Sequence, residues 1–428
     1  MFYIAPMHKI VLLVSFCILL ASQSIAQSFS IRGKVTDQTT GKVVAGASVF
    51  LSNTSYGNIS SSTGAFEINN IRQGKYDLIV SFIGYETYNT TIQIPAPAEP
   101  LTIQIKQKSK ELTEVVVRNY IKDGWQQWGS FFLESFIGTS ALANQCVLKN
   151  KEALKFSFSK KDNVLIVDAM EPLIIENKAL GYNIQYQLED FTYSFDEKLL
   201  FYAGYPLFTE MEAGKSKQKR WNEARADVYE LSFMRFMRSL YRNKLTEDGY
   251  QLLLLKRILN LEKQRWFAKQ KFYYDTVQRQ KTIINYEATL PKDSLVYFNK
   301  VMAQKDPIET ILPGMLTGTD IAYGADSNTA ALDFTNHIII RFPKRNIPQE
   351  YANTLKQGSV KQPVSSVIFL PNNTPVYVTS SGYYFNAQDL IMEGFWGWWE
   401  KISSLLPYDY MPLQKQNVHL FSPAFEFL

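Results

Sequence analysis

Apolar and polar residues alternate in three short stretches near the start of the chain. Within Phe29–Asp37, Ala47–Leu51 and Tyr76–Phe82, apolar residues or glycine occupy every second position, and Gly, Asn or Thr lie between the stretches. Alternation with a period of two predicts strands with one buried face, separated by turns. Several short strands at this spacing are typical of a β-sandwich.

Alternating stretches return further along the chain. Leu154–Phe158 and Val164–Ala169 flank a polar turn, which predicts a hairpin. In the long stretch Tyr182–Phe195 the apolar positions shift by one residue, and this shift predicts a β-bulge near Glu189–Asp190. We expect Leu199–Phe208 to pair with this long strand.

The remaining pattern predicts a mixture of helices and strands. Residues 219–245 carry apolar side chains at helical spacing over a wide arc, which predicts a helix packed against a sheet. Later strands are predicted at 329–342, 364–370 and 376–380, and a last helix at 393–406. The fold class is therefore predicted as mainly β, with a β-sandwich followed by a mixed α+β region.

The first 27 residues have the composition of an export signal. His8 and Lys9 precede a 12-residue apolar run, Ile10–Ala21, and a more polar stretch then ends at Ala26. This order of basic, apolar and small residues is that of a cleavable secretory signal. A membrane anchor is the alternative, but a helix needs about 20 apolar residues to cross a bilayer. We therefore expect residues 1–27 to be removed on export.

Short motifs in the first alternating region carry a resemblance to a known family. The motifs are Gly33–Asp37, Gly46–Val49, Gly64–Phe66, Gly74–Tyr76 and Ser81–Tyr85. Together they resemble the carboxypeptidase regulatory-like domain, a transthyretin-like Greek-key β-sandwich that also lies at the front of TonB-dependent receptors. The resemblance covers residues 28–107 and implies this fold for them. Ser61 departs from the family pattern, where Asp is usual, and this affects only a turn hydrogen bond.

The resemblance implies a domain without catalytic residues of its own. A zinc carboxypeptidase needs histidine and glutamate ligands around its metal. Beyond the predicted signal the chain has only His337 and His419, which are far apart and outside any zinc-binding motif. We therefore exclude a zinc carboxypeptidase and predict no cofactor, since phosphate-loop and dinucleotide-binding motifs are also missing from the sequence.

Residues 108–122 are predicted to be a linker. Within it, Glu111–Val117 is similar to the segment that leads from the sandwich into the plug of TonB-dependent receptors. A complete receptor is excluded because the remaining residues, about 310, are too few for a plug, long loops and a 22-stranded barrel. Two interpretations of this segment stay open: an edge or linker strand, and a retained contact segment for TonB.

The region after the linker also resembles a family. The motifs 125–146, 171–182, 185–191 and 235–241 resemble an extended family of exported bacterial proteins that carry the same front sandwich. Its members have no assigned activity, so the resemblance supplies no function. We expect residues 123–428 to form an α+β domain of unknown function.

Charge and cysteine content exclude two further properties. The net charge of +5 over 428 residues is too low to indicate nucleic-acid binding. Of the two cysteines, Cys17 lies in the predicted signal, so an intramolecular disulfide is excluded after its removal. The remaining Cys146 is expected to be buried, as free cysteines usually are.

Two sets of residues are candidates for binding. Arg235, Arg238 and Arg242 form a stripe on the predicted helix, within a segment, 215–244, that holds nine basic and three acidic residues. The stripe could meet phosphate groups of a membrane surface or an acidic partner, and a solvated helix face is the alternative.

The second set is aromatic. Trp396, Trp398 and Trp399 are three of the seven tryptophans in the chain. Exposed indole rings can bind sugars or partner proteins, whereas a buried docking helix is the alternative.

These features predict an exported, non-catalytic binding or assembly component of the gram-negative cell envelope, in the periplasm or associated with the outer membrane. We expect its partner to be an outer-membrane protein or a surface glycan, and we expect no membrane-spanning helix after the signal.

Two alternatives to this function stay open. One is a hydrolase of surface glycan or peptide with unidentified carboxylates, for which Glu189 and Asp190 are an example, and the other is a TonB-linked accessory protein.

Overall fold

The computed structural model describes residues 28–97, 99–108, 119–267, 291–304, 306–356 and 361–412. The predicted export signal, Glu111–Val117 and His419 lie outside the described residues. The chain divides into two compact units. The first unit comprises the chain up to Trp125 with Leu148–Glu176 and Tyr182–Met211, and the second comprises Gln126–Val147, Asn177–Gly181 and the chain from Glu212 onward.

The first unit begins with a β-sandwich. Its strands are β1 (Phe29–Asp37), β2 (Ser48–Leu51), β3 (Gly57–Ile59), β4 (Ala65–Ile71), β5 (Gly74–Ser81), β6 (Tyr88–Ile94) and β7 (Leu101–Ile105). One sheet has the order β4-β1-β7 and the other β3-β2-β5-β6. Strand β7 runs parallel to β1, whereas β1–β4, β2–β3, β2–β5 and β5–β6 are antiparallel pairs. The predicted sandwich is confirmed, with alternate residues such as Val35, Val49 and Val80 fully buried in its core.

A third sheet follows the sandwich. Its strands are β8 (Cys146–Leu148), β9 (Leu154–Ser159), β10 (Val164–Ala169), β11 (Leu173–Asn177), β12 (Tyr182–Ser194) and β13 (Leu199–Glu210). The order is β8-β11-β12-β10-β9, and β13 pairs with β12. The predicted hairpin of β9 and β10 is confirmed. The predicted bulge is confirmed as well, because the β12–β13 register shifts between Leu188 and Asp190.

The remaining elements lie mostly in the second unit. They are α1 (Gly124–Phe136), α2 (Lys215–Leu231), α3 (Phe233–Tyr241), β14 (Gln251–Ile258), α4 (Lys292–Ala303), β15 (Ile308–Ile311), β16 (Ala322–Asp326), β17 (Thr329–Leu332), β18 (His337–Asn346), α5 (Gln349–Thr354), β19 (Pro363–Phe369), β20 (Val376–Thr379), β21 (Ile391–Gly394) and α6 (Phe395–Trp399). Two antiparallel sheets result, β15-β14-β18-β19-β21 and β16-β17-β20. The fold is mainly β, with a β-sandwich followed by a mixed α+β region, as predicted.

The helix predicted at 219–245 is two helices. Ser232 separates α2 from α3, because its backbone is extended (φ −76°, ψ 152°) and its hydroxyl accepts a hydrogen bond from Arg235 N. A serine in this conformation caps the next helix instead of continuing the previous one. The wide apolar arc belongs to α3, where Phe236, Met237 and Leu240 are completely buried.

Two other predicted elements are wrong in part. The strand predicted at 329–342 is split into β17 and β18, which belong to different sheets and are separated by a turn with Asn336 at φ +68°. The last helix predicted at 393–406 is reduced to α6, because Gly394 has φ +72° and the residues before it pair with β19 as strand β21. Both errors arise where a turn in left-handed conformation interrupts an apolar run.

None of the helices in the described part of the chain is both long enough and apolar enough to cross a membrane.

Candidate binding surface

The arginine stripe predicted from the sequence is tied to the interior of the second unit. Arg238 is 7% exposed, and its guanidinium donates to the carbonyl oxygens of Ser381 (2.7 Å), Tyr408 (3.0 Å) and Tyr410 (3.0 Å). A solvated helix face is therefore wrong for Arg238. The guanidinium clamps two chain segments onto α3, because each carbonyl it meets would otherwise lack a strong donor.

The other two arginines of the stripe are also engaged. Arg235 donates to the Tyr250 hydroxyl at 2.8 Å, and its guanidinium lies 4.8 Å from the ring centre of Phe342. Arg242 forms an ion pair of 2.9 Å with Asp248. The three arginines therefore diverge from the α2–α3 segment toward three different partners.

The tryptophan cluster lies close to the same helix. Trp396 and Trp399 are 3% and 8% exposed, and the Trp396 ring centre is 4.8 Å from that of Phe233 in α3. Trp398 is half-buried and donates to the Thr139 hydroxyl at 2.9 Å. The structure thus brings Trp396 next to α3, which carries the arginines. A binding role for Arg235, Arg238, Arg242, Trp396, Trp398 and Trp399 stays a prediction, and the surface described next uses other residues.

The sandwich in the first unit is docked against the third sheet. Phe50 and Ile79 lie opposite each other in β2 and β5, on the face that points away from the sandwich core. They are nevertheless 1% and 0% exposed. A Cβ atom added at Gly57, the neighbour of Phe50 in β3, would lie 2.9 Å from the Leu207 side chain. The outer face of this sheet is thus covered by β13, which makes the first unit a three-layer structure.

Hydrogen bonds reinforce this docking. Asn53 N donates to Pro206 O at 2.8 Å, and Phe208 N donates to Thr54 O at 3.0 Å. Side-chain bonds of 2.8 Å join Ser81 to Gln187, Thr87 to Glu189 and Asn89 to Tyr205. Apolar burial together with satisfied polar groups is typical of a fixed interface. The predicted bulge has a function here, because it places Glu189 within reach of Thr87.

The docked sandwich covers only part of the β13 face. Side chains two residues apart in a strand share a face, so Leu207 and Tyr205 share theirs with Ala203, Phe201 and Leu199. Phe201 and Leu199 are 39% and 42% exposed. The registers place Thr192 and Ile166 in the row of Phe201, and Ser194 and Val164 in the row of Leu199. We call these six residues (Val164, Ile166, Thr192, Ser194, Leu199 and Phe201) the open hairpin face.

The sequence contains a signal for this face in strand β10. The apolar run Val164–Val167 in β10 is continuous and predicts two apolar faces, Leu165 with Val167 and Val164 with Ile166, although a sheet covered on one side needs only one. The structure buries Leu165 and Val167 at 0% and 1% exposure. On the second apolar face Val164 and Ile166 are half-buried, and Phe201 and Leu199 are partly exposed.

Asp37, from the first resemblance motif, is a hydrogen-bond hub at one end of the sandwich. Its carboxylate accepts bonds from Thr39 N (3.0 Å), Thr40 N (2.7 Å), Thr40 Oγ1 (2.9 Å), Tyr85 Oη (2.8 Å) and Gln107 Nε2 (3.0 Å). The amide of Thr40 and then the hydroxyl of Tyr85 lower the Asp37 pKa to about 2. The motif residues Asp37 and Tyr85 therefore serve the fold.

We expect Asp37→Asn to lower the melting temperature of the sandwich by several degrees at pH 7. The amide has one acceptor oxygen and no charge, so it cannot satisfy all these donors. Because the folded-state pKa is depressed, the stabilisation is present above about pH 4 and is lost as the pH falls toward about 2. Thermal unfolding followed between pH 2 and pH 7 measures the difference, and Asp77→Asn, which changes a carboxylate bonded to Thr91, is the control. Equal losses for the two variants would contradict the hub.

A charged cluster in the second unit ties three strands together. Arg257 in β14 donates to both carboxylate oxygens of Glu393 in β21 (2.9 and 2.6 Å) and to Glu309 in β15 (2.9 Å). Burial lowers the pKa of the neighbouring His337 below its ordinary value, which favours a neutral ring at pH 7. Both carboxylates are shared with one guanidinium, so the cluster is arranged as a structural clamp.

The described residues offer neither a reactive thiol at Cys146 nor a cluster of metal ligands. Cys146 is half-buried, and burial raises its thiol pKa to about 12, so the thiol is protonated and a poor nucleophile at neutral pH. In the part of the chain that the structure describes, no three His, Cys, Asp or Glu side chains are grouped so as to hold a metal ion.

Comparison with curated proteins points to the N-terminal region. Over 114 residues the chain is 34% identical to the TonB-dependent receptor SusC of Bacteroides thetaiotaomicron. The match covers 27% of this chain and 11% of the length of that receptor. The match does not extend to the receptor as a whole.

Solved structures give weaker similarities. Two mutant cohesin–X-dockerin complexes from Acetivibrio cellulolyticus each match 18% of this chain and 56% or 58% of theirs, at 21% or 22% identity and a TM-score of 0.16. A protein of unknown function from Bacteroides fragilis matches 83% of this chain and 92% of its own, at 11% identity and a TM-score of 0.14. TM-scores this low carry no conclusion about fold or function.

A family model agrees with the sandwich that the structure describes. The model of the CarboxypepD_reg-like domain matches residues 31–117, which include strands β1 to β7 apart from the first residues of β1. The N-terminal part of this chain is a CarboxypepD_reg-like domain.

Proposed function

We propose that this protein is an exported, non-catalytic binding or assembly component of the cell envelope, and that it holds a partner on the open hairpin face. The observation that carries the proposal is the docking of the sandwich. Because Phe50 and Ile79 are completely buried against β13, the sandwich is a fixed part of the first unit. The adjoining apolar residues Phe201 and Leu199 are then held on a rigid surface, which reduces the entropy lost on binding.

The alternative hydrolase has less support. Glu189 accepts a hydrogen bond from Thr87 and Asp190 accepts one from Thr192, each at 2.8 Å. Glu189 therefore takes part in docking the sandwich, and the pair proposed from the sequence has a structural role. A partner-binding surface needs no carboxylate, whereas glycoside hydrolysis needs two.

Substitution on the hairpin face tests the proposal. We expect Phe201→Glu to reduce the amount of co-purifying partner at least about tenfold, because exposed aromatic residues at the centre of an interface contribute most of its affinity. Ile174→Glu, a similarly exposed residue (40%) on β11, is the matched control and should retain the partner. Glu189→Gln should also retain it, since the amide oxygen still accepts from Thr87. Retention by Phe201→Glu, or loss of an envelope hydrolase activity with Glu189→Gln alone, would contradict the proposal.

A TonB-linked accessory role is a second candidate, favoured by the 114-residue similarity to a TonB-dependent receptor. It attributes partner contact to residues 111–117, which lie outside the described residues. Deletion of these residues should abolish co-purification if this candidate is correct. If the hairpin face holds the partner, the deletion should leave co-purification unchanged.

A further inference from the structure

Three chain segments meet at one end of the sandwich. They are the turn 37–42, the loop 82–87 and the segment 105–108, and the carboxylate of Asp37 bonds to all three through Thr40, Tyr85 and Gln107. Backbone bonds join them as well, since Gln38 N donates to Ile105 O at 2.9 Å and Lys108 N donates to Gly84 O at 2.9 Å. This end of the sandwich is therefore rigid.

The exposed side chains at this end include two aliphatic and three basic residues, next to neutral polar ones such as Gln38 and Thr39. Ile83 is 72% exposed, and Val43 is 42% exposed. Lys42, Lys106 and Lys108 are also exposed, whereas Asp37 and Glu86, which is paired with Lys106 at 3.1 Å, add two negative charges. We call the five residues Lys42, Val43, Ile83, Lys106 and Lys108 the Asp37 end.

The position of Ile83 is fixed by its own turn. Tyr85 N donates to Phe82 O at 3.0 Å, Gly84 has φ +85°, and the Phe82 and Tyr85 rings pack at 5.6 Å. Phe82 and Tyr85 are thus directed inward, which leaves Ile83 at the tip. Transfer of such an exposed aliphatic side chain from water to an apolar environment lowers the free energy.

We infer that the Asp37 end is a contact site for a bilayer surface that carries anionic lipids. Ile83 and Val43 would enter the interfacial region, while the lysines would reach lipid phosphates. Exposed apolar side chains flanked by lysine are the composition of interfacial membrane contacts. The five residues of the Asp37 end are far fewer than the roughly 20 to 30 residues per partner that a specific protein interface buries. The surface is separate from the open hairpin face, so the inference goes beyond the proposed function.

Vesicle binding tests the inference. Full-length protein with a C-terminal tag, purified in the form its native host produces, is sedimented with vesicles of phosphatidylglycerol and phosphatidylethanolamine or of phosphatidylcholine alone. We expect binding to the anionic vesicles that weakens with added salt, because each lysine near such a surface contributes an electrostatic attraction. Ile83→Asp should weaken it about tenfold or more, through lost apolar transfer and added repulsion.

Two further variants make the outcome decisive. Ile174→Asp, at a 40% exposed position outside the sandwich, should bind within about twofold of the unchanged protein, which is the scale of a surface substitution away from the contact. Lys42→Glu with Lys108→Glu should remove the preference for anionic vesicles. Equal binding by Ile83→Asp and Ile174→Asp, equal binding to neutral vesicles, or no binding to either vesicle would overturn the inference. None of these outcomes depends on a partner at the hairpin face.

Discussion

Replacing Arg238 by alanine should lower the free energy of unfolding of the second unit by about 3 kcal/mol or more. The side chain is 7% exposed and donates to the backbone of Ser381, Tyr408 and Tyr410. Its loss leaves these carbonyl oxygens without their charged donor and removes the packing of the guanidinium on the Tyr229 ring, 5.3 Å away. Arg238→Lys should recover part of the stability, because the ammonium group keeps the positive charge. Recovery should be incomplete, because an ammonium group cannot match the spacing of the guanidinium donors.

Urea unfolding followed by tryptophan fluorescence measures this effect. Arg220→Ala is the matched control, because Arg220 lies on the exposed side of α2. Surface substitutions of this kind change stability by no more than about 0.5 kcal/mol. Similar midpoints for the Arg238 and Arg220 variants would show that the clamp contributes little.

The second large effect is a pH dependence that arises from Glu400. Its carboxylate accepts a hydrogen bond from Phe233 N, at the start of α3, at 2.7 Å. Burial raises the Glu400 pKa to about 7, although the Phe233 amide and Lys401 act in the opposite direction. The folded protein therefore binds this proton more tightly than the unfolded chain. The associated stabilisation is complete below about pH 4.5 and is lost as the pH rises through 7, with a total of about 3 kcal/mol at most.

We expect Glu400→Gln to remove this decline. The amide oxygen still accepts from Phe233 N, and it does not titrate. Lys401 complicates the comparison at neutral pH, because burial lowers its pKa to about 8 and the substitution removes its negative neighbour. At pH 9 most of Lys401 is neutral, so the variant should then be more stable than the unchanged protein, by up to about 3 kcal/mol.

Unfolding midpoints between pH 5 and pH 9 provide the measurement. Glu212→Gln, at an exposed position before α2, is the control and should follow the unchanged protein throughout. A Glu400→Gln midpoint that declines with pH as steeply as the control would contradict the burial of an ionisable group at the start of α3.

Local patterns were sufficient for most strands and for the hairpin of β9 and β10, and insufficient for pairing between segments far apart in the chain. The alternation in β1, β2, β5 and β12 predicted strands correctly, and the slip of one residue in β12 predicted its bulge, because both are periodicities within a strand. The last helix was wrong because β21 exists only through pairing with β19, about 25 residues earlier. Such long-range pairing overrides the predicted helix only at its start, because α6 still forms at Phe395–Trp399 and includes Trp398.

The candidate site was harder to predict for a related reason. Phe50 and Ile79 point away from the sandwich core, and in an isolated domain they would be exposed. Only the docking on β13 buries them, and this depends on residues more than 100 positions later. The arginine stripe was visible as a charge pattern, but the carbonyl groups that Arg238 meets come from loops at 381 and 408–410, which no helical periodicity can reveal.

The most direct measurement of the central claim is affinity purification of the tagged, full-length protein from mildly solubilised envelopes of its native host, with the accompanying proteins quantified by mass spectrometry. We predict an envelope protein present in stoichiometric amount, and loss of that protein when Phe201 on the open hairpin face is changed to glutamate. A protein that is recovered alone under these conditions would contradict a binding or assembly role.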